Sequence, residues 1–268
     1  MTRVPGDRLA SSFAARAGTT GLIPYFTAGY PAPAITLELL HAAEPLALAV
    51  ELGIPFSDPI ADGPDIQRAS ECALAQGGGA AETLALVARY RAAGGSLPIV
   101  LMTYVNPILR PGITSFAAAA AVAGVAAVLV SDLPPDESPE VWRALDDAGL
   151  ATVMLVAPTT RAARLPLLVA RARGFVYCLA RTGVTGQGGG YAGSIEARVR
   201  EVRALTALPV AVGFGIATAE QARALRGVAD AVIVGAALMR EVAQDPEANV
   251  AARVSARMRV IAEALAAN

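Results

Sequence analysis

The sequence predicts a (β/α)8 TIM barrel with an extra N-terminal helix, on the basis of three observations. Eight short apolar, β-branched runs recur along the 268-residue chain, and turn residues and a stretch of helical spacing follow each one. The runs are almost continuously apolar, as the strands of a parallel sheet buried on both faces must be. No low-complexity linker divides the chain. We therefore expect a single domain over residues 1–268, closed into a barrel rather than an open doubly wound sheet.

Each predicted element has its own signal. The candidate strands begin, in chain order, at Leu22, Ala47, Pro98, Val125, Ala151, Phe175, Pro209 and Asp230. Helical spacing predicts helices in ITLELLHAA, ETLALVARYRAAG, ITSFAAAAAVAG, VWRALDDAG, ARLPLLVARARG, IEARVREVRALT and AEQARALRG, several of which end at Gly. The extra N-terminal helix is predicted over residues 7–17. The long gap between the second and third strands leaves room for a turn-rich loop and an additional helix.

Composition narrows the class of protein. Hydrophobic residues make up 54% and charged residues 17%, which is enough apolar material for a large core. Neither an uninterrupted apolar run of 18 residues nor a signal-peptide core in MTRVPGDRLA is present, so a cytoplasmic protein is expected. The net charge is −1 and the basic residues are scattered, which argues against a nucleic-acid or membrane surface and favours a small-molecule partner.

The basic residues exclude catalytic and metal sites that depend on lysine or on several histidines. All 22 are Arg, and His41 is the only histidine. A lysine Schiff base, a histidine-containing hydrolytic triad and a multi-histidine zinc site are therefore excluded, and no metal is expected. His41 is expected to be an ordinary surface or packed residue. Cys72 and Cys178 lack CxxC spacing and lie in apolar runs, so both are expected to be buried free thiols. Acid–base chemistry must then come from carboxylates, Tyr or Cys.

Several polar residues fall at or just after the predicted carboxyl ends of strands, where barrels carry their active sites. These residues are Glu51, Asp62, Tyr104, Asp132 and Tyr177. A carboxyl group in an apolar barrel mouth has a raised pKa and can donate and accept protons near neutral pH. The alternatives are a strand-end ion pair with Arg for Glu51, and an Asx turn or helix cap for Asp62.

Glycines concentrate after the last three strands, in RTGVTGQGGGYAG, GFGI and VGAAL. Glycine lets backbone N–H groups approach an anion, and a helix that begins near Gly235 would present its positive end. The loops after strands seven and eight of such barrels often bind phosphate. The three clusters together predict a phosphate site made of backbone amides.

Six motifs, in order, resemble the α subunit of tryptophan synthase: ELGIPFSDPIADGP, MTYVNP, VLVSDLP, YCLARTGVTG, VGFGI and VGAAL. The resemblance runs from about Leu22 to the final helix, and the first and fourth motifs are the most specific. It implies a lyase of tryptophan biosynthesis that cleaves indole-3-glycerol phosphate to indole and glyceraldehyde 3-phosphate by a retro-aldol reaction. It also implies delivery of indole to a pyridoxal-phosphate-containing β subunit in an α2β2 heterotetramer, with no cofactor in this chain.

The resemblance also assigns roles to residues. Glu51 corresponds to the general acid–base, Asp62 to the carboxylate that binds the indole N–H, and Tyr177 to a residue beside the reacting centre. The expected substrate-binding residues are Tyr25, Tyr104 and Thr185, with Thr185 on a mobile loop that closes over substrate. The expected phosphate-binding residues are Gly186, Gly213, Gly215, Gly235 and Ala236.

Two departures from the family pattern leave alternatives open. Ala236 stands where relatives commonly carry Ser, and the loop after TGVTG reads QGGGYAGS without the usual Arg and Leu-Pro. There are two competing interpretations. The chain could be a stand-alone lyase that releases free indole, or a non-catalytic paralogue that activates a β-like partner. By family position, partner contacts are expected at 55–62, 105–107 and 132–137.

Overall fold

A computed structural model describes residues 7–180, 192–213, 215–245 and 249–266. The strands are β1 (Gly21–Thr27), β2 (Val50–Gly53), β3 (Ile99–Thr103), β4 (Ala127–Val130), β5 (Ala151–Val156), β6 (Val176–Leu179), β7 (Val210–Gly213) and β8 (Ala231–Val234). Each strand pairs in parallel with the next, and β8 pairs with β1, which closes the barrel. The predicted TIM barrel and its eight strands are confirmed. The assignment of residues 1–268 to one domain stays a prediction.

Helices surround the barrel, and one further helix precedes its first strand. They are α1 (Asp7–Ala15), α2 (Pro33–Ala43), α3 (Pro64–Ala75), α4 (Ala80–Ala92), α5 (Val105–Leu109), α6 (Ile113–Ala123), α7 (Pro139–Asp147), α8 (Leu165–Arg171), α9 (Ala192–Arg203), α10 (Ala219–Arg223), α11 (Ala236–Gln244) and α12 (Val250–Ala266). The extra N-terminal helix is α1, and the additional helix in the long gap is α3. Among the described residues, no helix is long and apolar enough to cross a membrane.

The core forms two layers because side chains alternate along each strand. In β1, Ile23 packs inside the barrel, whereas Leu22 and Phe26 pack against the surrounding helices. Helix α1 closes the N-terminal end of the barrel: its Leu9 and Phe13 belong to the inner cluster. Functional groups inside the barrel are thereby confined to the open, carboxyl end.

The strand register determines which residues meet at that end. Tyr25 of β1 lies opposite Glu51 of β2, and Glu51 lies opposite Val100 of β3. Val100 packs in the inner cluster. Glu51 therefore occupies a row of residues that crosses the barrel interior, with Gly53 as the next inward position towards the mouth.

The prediction for the cysteines is half right. Cys178 is buried on β6, but Cys72 is exposed. Helix α3 buries Ile66, Ala69 and Ala73 at the three- and four-residue spacing of one face, which turns Cys72 towards solvent. The apolar neighbours of Cys72 in sequence were therefore a misleading signal. Both thiols are free.

Candidate active site

Glu51 is a buried carboxyl group inside the barrel mouth. Its side chain is on β2, the residue is 2% exposed, and no described residue hydrogen-bonds its Oε1 atom. Burial raises its pKa from 4.5 to about 8, and the neighbouring Asp62 charge adds to the rise. None of the ion pairs within the described ranges involves Glu51, so the alternative of a strand-end pair with Arg is not observed there.

Asp62 lies in the loop between β2 and α3 and is 6% exposed. Its Oδ2 atom accepts a hydrogen bond of 3.0 Å from the Tyr104 hydroxyl, and its backbone oxygen accepts one of 2.9 Å from Gln67 Nε2. Burial raises the pKa of Asp62 to about 6, against the opposing effect of the Tyr104 bond. The cap residue of α3 is Gly63 rather than Asp62, and it makes no side-chain cap bond. The Asp62 carboxylate is therefore held by Tyr104 and not used as a helix cap.

Tyr104 follows β3 directly and braces the loop that carries Asp62. Besides donating to Asp62, its hydroxyl oxygen accepts a 3.0 Å hydrogen bond from the Ala61 N–H group. Its ring centroid lies 5.1 Å from that of Phe56 in the same loop. The sequence predicted Tyr104 to be a substrate-binding residue but did not indicate its hydrogen bond to Asp62. The two residues lie 42 positions apart, and no local pattern in the sequence signals the pairing.

Tyr25 and Tyr177 complete the polar lining inside the barrel. Both are buried, and burial raises their pKa values well above 10, so their hydroxyl groups stay neutral. The next largest influence is the Asp62 charge for Tyr25 and the Glu51 charge for Tyr177, because both tyrosines face the carboxyl pair. The Tyr25 hydroxyl makes a long contact of 3.3 Å with Thr27 Oγ1.

Glycines permit the close approach of both tyrosine rings. A Cβ atom on Gly53 would collide with the Tyr25 hydroxyl. A Cβ atom on Gly213 would lie 2.5 Å from the Tyr177 hydroxyl and 2.8 Å from Ile233 Cβ. Small residues at the ends of β2 and β7 are thus needed for the lining to pack.

The predicted phosphate-binding residues within the described ranges gather at one side of the barrel mouth. Gly213 ends β7, Gly235 is the N-cap of α11 directly after β8, and Ala236 is the first residue of that helix. Gly215 has a φ of +89°, a conformation that favours glycine. The first N–H groups of α11 have no partner within the helix and carry its positive end. Gly186 and Thr185 lie outside the described residues.

The remaining ionisable groups do not form a metal site in the described part of the chain, where no three His, Cys, Asp or Glu side chains cluster. His41 is exposed on α2, with its ring centroid 5.1 Å from that of Tyr90. It is an ordinary surface histidine outside the barrel.

The sequence and the fold are similar to those of known proteins. A family model described as "Tryptophan synthase alpha chain" matches residues 13–267. The tryptophan synthase alpha chain of Laribacter hongkongensis is 49% identical over 90% of this chain and 91% of the relative, and that of Chromobacterium violaceum is 46% identical over 90% and 93%.

Solved structures agree with the sequence relatives. The tryptophan synthase subunit alpha of Legionella pneumophila is similar with a TM-score of 0.86 and 35% identity, covering 98% of this chain and 99% of that one. A tryptophan synthase structure from M. tuberculosis is similar with a TM-score of 0.84 and 34% identity, covering 96% of this chain and 98% of the other. The eight-stranded barrel, the buried acid pair and these likenesses together place the chain in the tryptophan synthase alpha chain family.

Proposed function

We propose that Glu51 and Asp62 divide the work of the family's reaction between a proton shuttle and a fixed negative charge. As a member of this family the chain is a lyase that cleaves indole-3-glycerol phosphate and passes indole to a β subunit. The observation that carries the assignment is the buried Glu51 carboxyl group, whose Oε1 atom has no hydrogen-bond partner among the described residues, beside a second carboxyl group that Tyr104 holds by a hydrogen bond.

Glu51 acts first as an acid and then as a base. With a pKa of about 8 it is largely protonated at neutral pH, and it donates its proton to C3 of the indole ring. The resulting carboxylate takes the proton of the hydroxyl group on the adjacent glycerol carbon. The C–C bond then breaks, its electrons return to the ring, and a C=O bond forms. The products are indole and glyceraldehyde 3-phosphate, and Glu51 is protonated again.

Asp62 stabilises the positive charge that C3 protonation places on the indole nitrogen. With a pKa of about 6 it is ionised at neutral pH, so it can accept the indole N–H bond as a carboxylate. The unequal environments of two carboxyl groups thus give them different roles. Tyr177 contacts the reacting centre, and Tyr25 and Tyr104 border the aromatic ring.

The phosphate group occupies the rim formed by β7 and β8. The N–H groups of Gly235 and Ala236 at the positive end of α11 bind it, and Gly186, Gly213 and Gly215 complete the cradle because glycine lets the backbone come close to an anion. Thr185 is assigned to the loop that closes over the substrate. Ala236 offers only its backbone N–H group, so one side-chain hydrogen bond found in serine-bearing relatives is missing. We expect weaker phosphate binding for that reason, but not its loss.

The proposed chemistry needs neither a metal nor an organic cofactor in this chain. Aldol cleavage requires a group that accepts the bonding electrons, and the protonated indole ring is that group. A chain without lysine can therefore perform the reaction. Pyridoxal phosphate belongs to the β partner.

The β subunit is expected on the carboxyl-end loops, in an α2β2 assembly in the cytoplasm. The loop after β2 exposes Ile60 to 81%, and α5 exposes Leu109 to 48%. The backbone N–H of Val105 donates a 2.8 Å hydrogen bond to Asp132 Oδ1, which joins two of the expected contact segments into one surface. Apolar side chains exposed on a joined loop surface are typical of a protein interface.

The deciding experiment measures indole release from indole-3-glycerol phosphate by the purified chain, alone and with a tryptophan synthase β subunit. We expect slow release alone and a large increase with the β subunit. Fast release that the β subunit does not change would support a stand-alone lyase. No release under either condition would contradict the proposal and favour a non-catalytic paralogue.

A further inference from the structure

The hydroxyl group of Ser131 is buried at the end of β4 without a hydrogen-bond partner in the described part of the chain. Its Oγ atom is shielded from solvent and makes no hydrogen bond with any described residue. Glu51 Oε1 is in the same state. A buried hydroxyl group is nearly always hydrogen-bonded, because leaving it unpaired is unfavourable. In a barrel mouth that would hold substrate, such atoms can take their hydrogen-bond partner from the substrate.

Ser131 continues the inward-facing row of β4. Ala127 and Leu129 pack in the inner cluster, whereas Val128 and Val130 pack outside the barrel. The backbone N–H of Ser131 donates to Thr103 oxygen at 2.8 Å, which extends the parallel pairing one residue beyond the strand. The alternation of side chains therefore directs Ser131 inward, one level above Leu129.

A cavity of about 590 Å³ adjoins Ser131 at this position. Val153 and Leu155 of β5, which pack with the barrel interior, line it together with loop residues that include Thr159 and Thr160. Met154 and Leu168, which pack with the surrounding helices, also line the cavity, so it lies at the rim between β4 and β5 and not among the acid pair.

The position of Ser131 relates it to one end of the proposed substrate. In a closed barrel of eight strands in sequence order, β4 lies opposite β8. The proposed phosphate site is at β7 and β8, so the far end of the substrate points towards β4. Asp62, which would bind the indole N–H, is hydrogen-bonded to Tyr104 at the end of β3, the neighbour of β4.

We infer that Ser131 is a specificity residue that hydrogen-bonds a hydroxyl or amino substituent on the benzene ring of an indole substrate. The inference rests on the proposed function and adds a substrate class to it. A neutral hydroxyl group both donates and accepts, so it suits a neutral polar substituent rather than a charged one. A site built around such a group discriminates against an apolar substituent of similar size.

The test uses the reverse reaction, in which an indole and glyceraldehyde 3-phosphate add to form the indole-glycerol phosphate. kcat/KM is measured for indole, for the hydroxyindoles substituted at each benzene-ring carbon, and for the methylindoles with the same substitution. For each ring position, kcat/KM for the hydroxyindole is divided by kcat/KM for the methylindole. This ratio is compared between the wild type and Ser131→Ala. Comparing one pair of compounds in both proteins removes the intrinsic reactivity of the ring.

We expect the ratio at one ring position to fall about three- to tenfold in Ser131→Ala, the effect of losing one neutral hydrogen bond. Thr152→Val is the matched control. Its Oγ1 atom is also buried without a partner among the described residues, but its β5 neighbours Ala151 and Val153 point inward, so Thr152 faces the helices. This control should leave the ratio unchanged.

A ratio that changes less than twofold at every position in Ser131→Ala, or that falls equally in Thr152→Val, would overturn the assignment. Failure of the wild type to condense indole itself would instead overturn the proposed function on which the assignment rests. The two failures are therefore distinguishable in one data set.

Discussion

Glu51 and Asp62 illustrate how burial and one hydrogen bond separate two similar groups. Both pKa values rise because the groups lose water, but Tyr104 donates to Asp62, whereas Glu51 Oε1 has no partner in the described ranges. The pKa is therefore about 6 for Asp62 and about 8 for Glu51. The catalytically competent form, with Asp62 ionised and Glu51 protonated, is most populated between these values.

Replacing Glu51 with Gln should lower kcat by about 10²- to 10⁴-fold, because the proton donor and acceptor is lost while the side-chain shape is kept. Indole release and circular dichroism, measured on the same samples, check this expectation. Activity within tenfold of the wild type in a folded Glu51→Gln protein would contradict the role given to Glu51.

The same substitution should stabilise the fold at alkaline pH. The folded pKa of Glu51 is raised, so the stabilising contribution of its neutral form is complete below about 4.5 and is lost as the pH rises to about 8. Gln cannot ionise, and the variant should be more stable than the wild type above pH 8, by up to a few kcal/mol. Urea unfolding at pH 5 and pH 9 measures the difference, which should be larger at pH 9.

Removing the Tyr104 hydroxyl should shift the acid limb of the pH profile. The hydrogen bond from Tyr104 lowers the pKa of Asp62, so Tyr104→Phe should raise that pKa. In the wild type, kcat/KM is expected to fall below about pH 6, where Asp62 becomes protonated. In the variant this fall should occur at higher pH. Activity should therefore drop more at pH 6.5 than at pH 8. Tyr90→Phe is the control, because Tyr90 donates to the Glu44 carboxylate outside the barrel. Equal losses at both pH values in Tyr104→Phe would count against the positioning role.

At the scale of elements, the strand ends require small residues so that the aromatic rings can pack. Gly213→Ala places a Cβ atom 2.5 Å from the Tyr177 hydroxyl and 2.8 Å from Ile233 Cβ, so side chains must shift. We expect a loss of about 1–3 kcal/mol in the free energy of unfolding and a lower kcat/KM. In Gly79→Ala the nearest atom is the flexible Glu82 carboxylate at 3.3 Å, so only the cost of Ala at the N-cap of α4, below about 1 kcal/mol, and no change in kcat/KM are expected. Denaturant titration and the cleavage assay compare the two variants, and equal behaviour would contradict the packing argument.

The sequence predicted elements better than it predicted their ends and contacts. Apolar runs identified all eight strands, yet the run from Ala47 begins before the observed start of β2 at Val50. Helix α5 was missed because five residues with an internal proline carry too little periodicity. The position of Glu51 followed from its strand end, whereas the bond from Tyr104 to Asp62 depends on side-chain placement between distant segments, which periodicity does not encode.

At the scale of the whole molecule, the two ends of the barrel have separate roles. Leu9 is fully buried beneath the strands, while the acid pair lies at the opposite end. Leu9→Ala should lower the free energy of unfolding by about 2–5 kcal/mol and leave kcat close to the wild-type value at temperatures where the protein stays folded. Thermal unfolding and indole release measure both quantities. A parallel loss of kcat in the folded variant would show that the two ends are coupled.

The proposed mechanism requires Glu51 to be protonated at neutral pH while Asp62 is ionised. Infrared difference spectra of the wild type and Glu51→Gln, recorded from pH 4 to pH 10, isolate the C=O stretch of the protonated Glu51 carboxyl group. We expect this band to persist through pH 7 and to disappear with a midpoint of about 8. A band that is already gone by pH 6 would contradict the proposed mechanism.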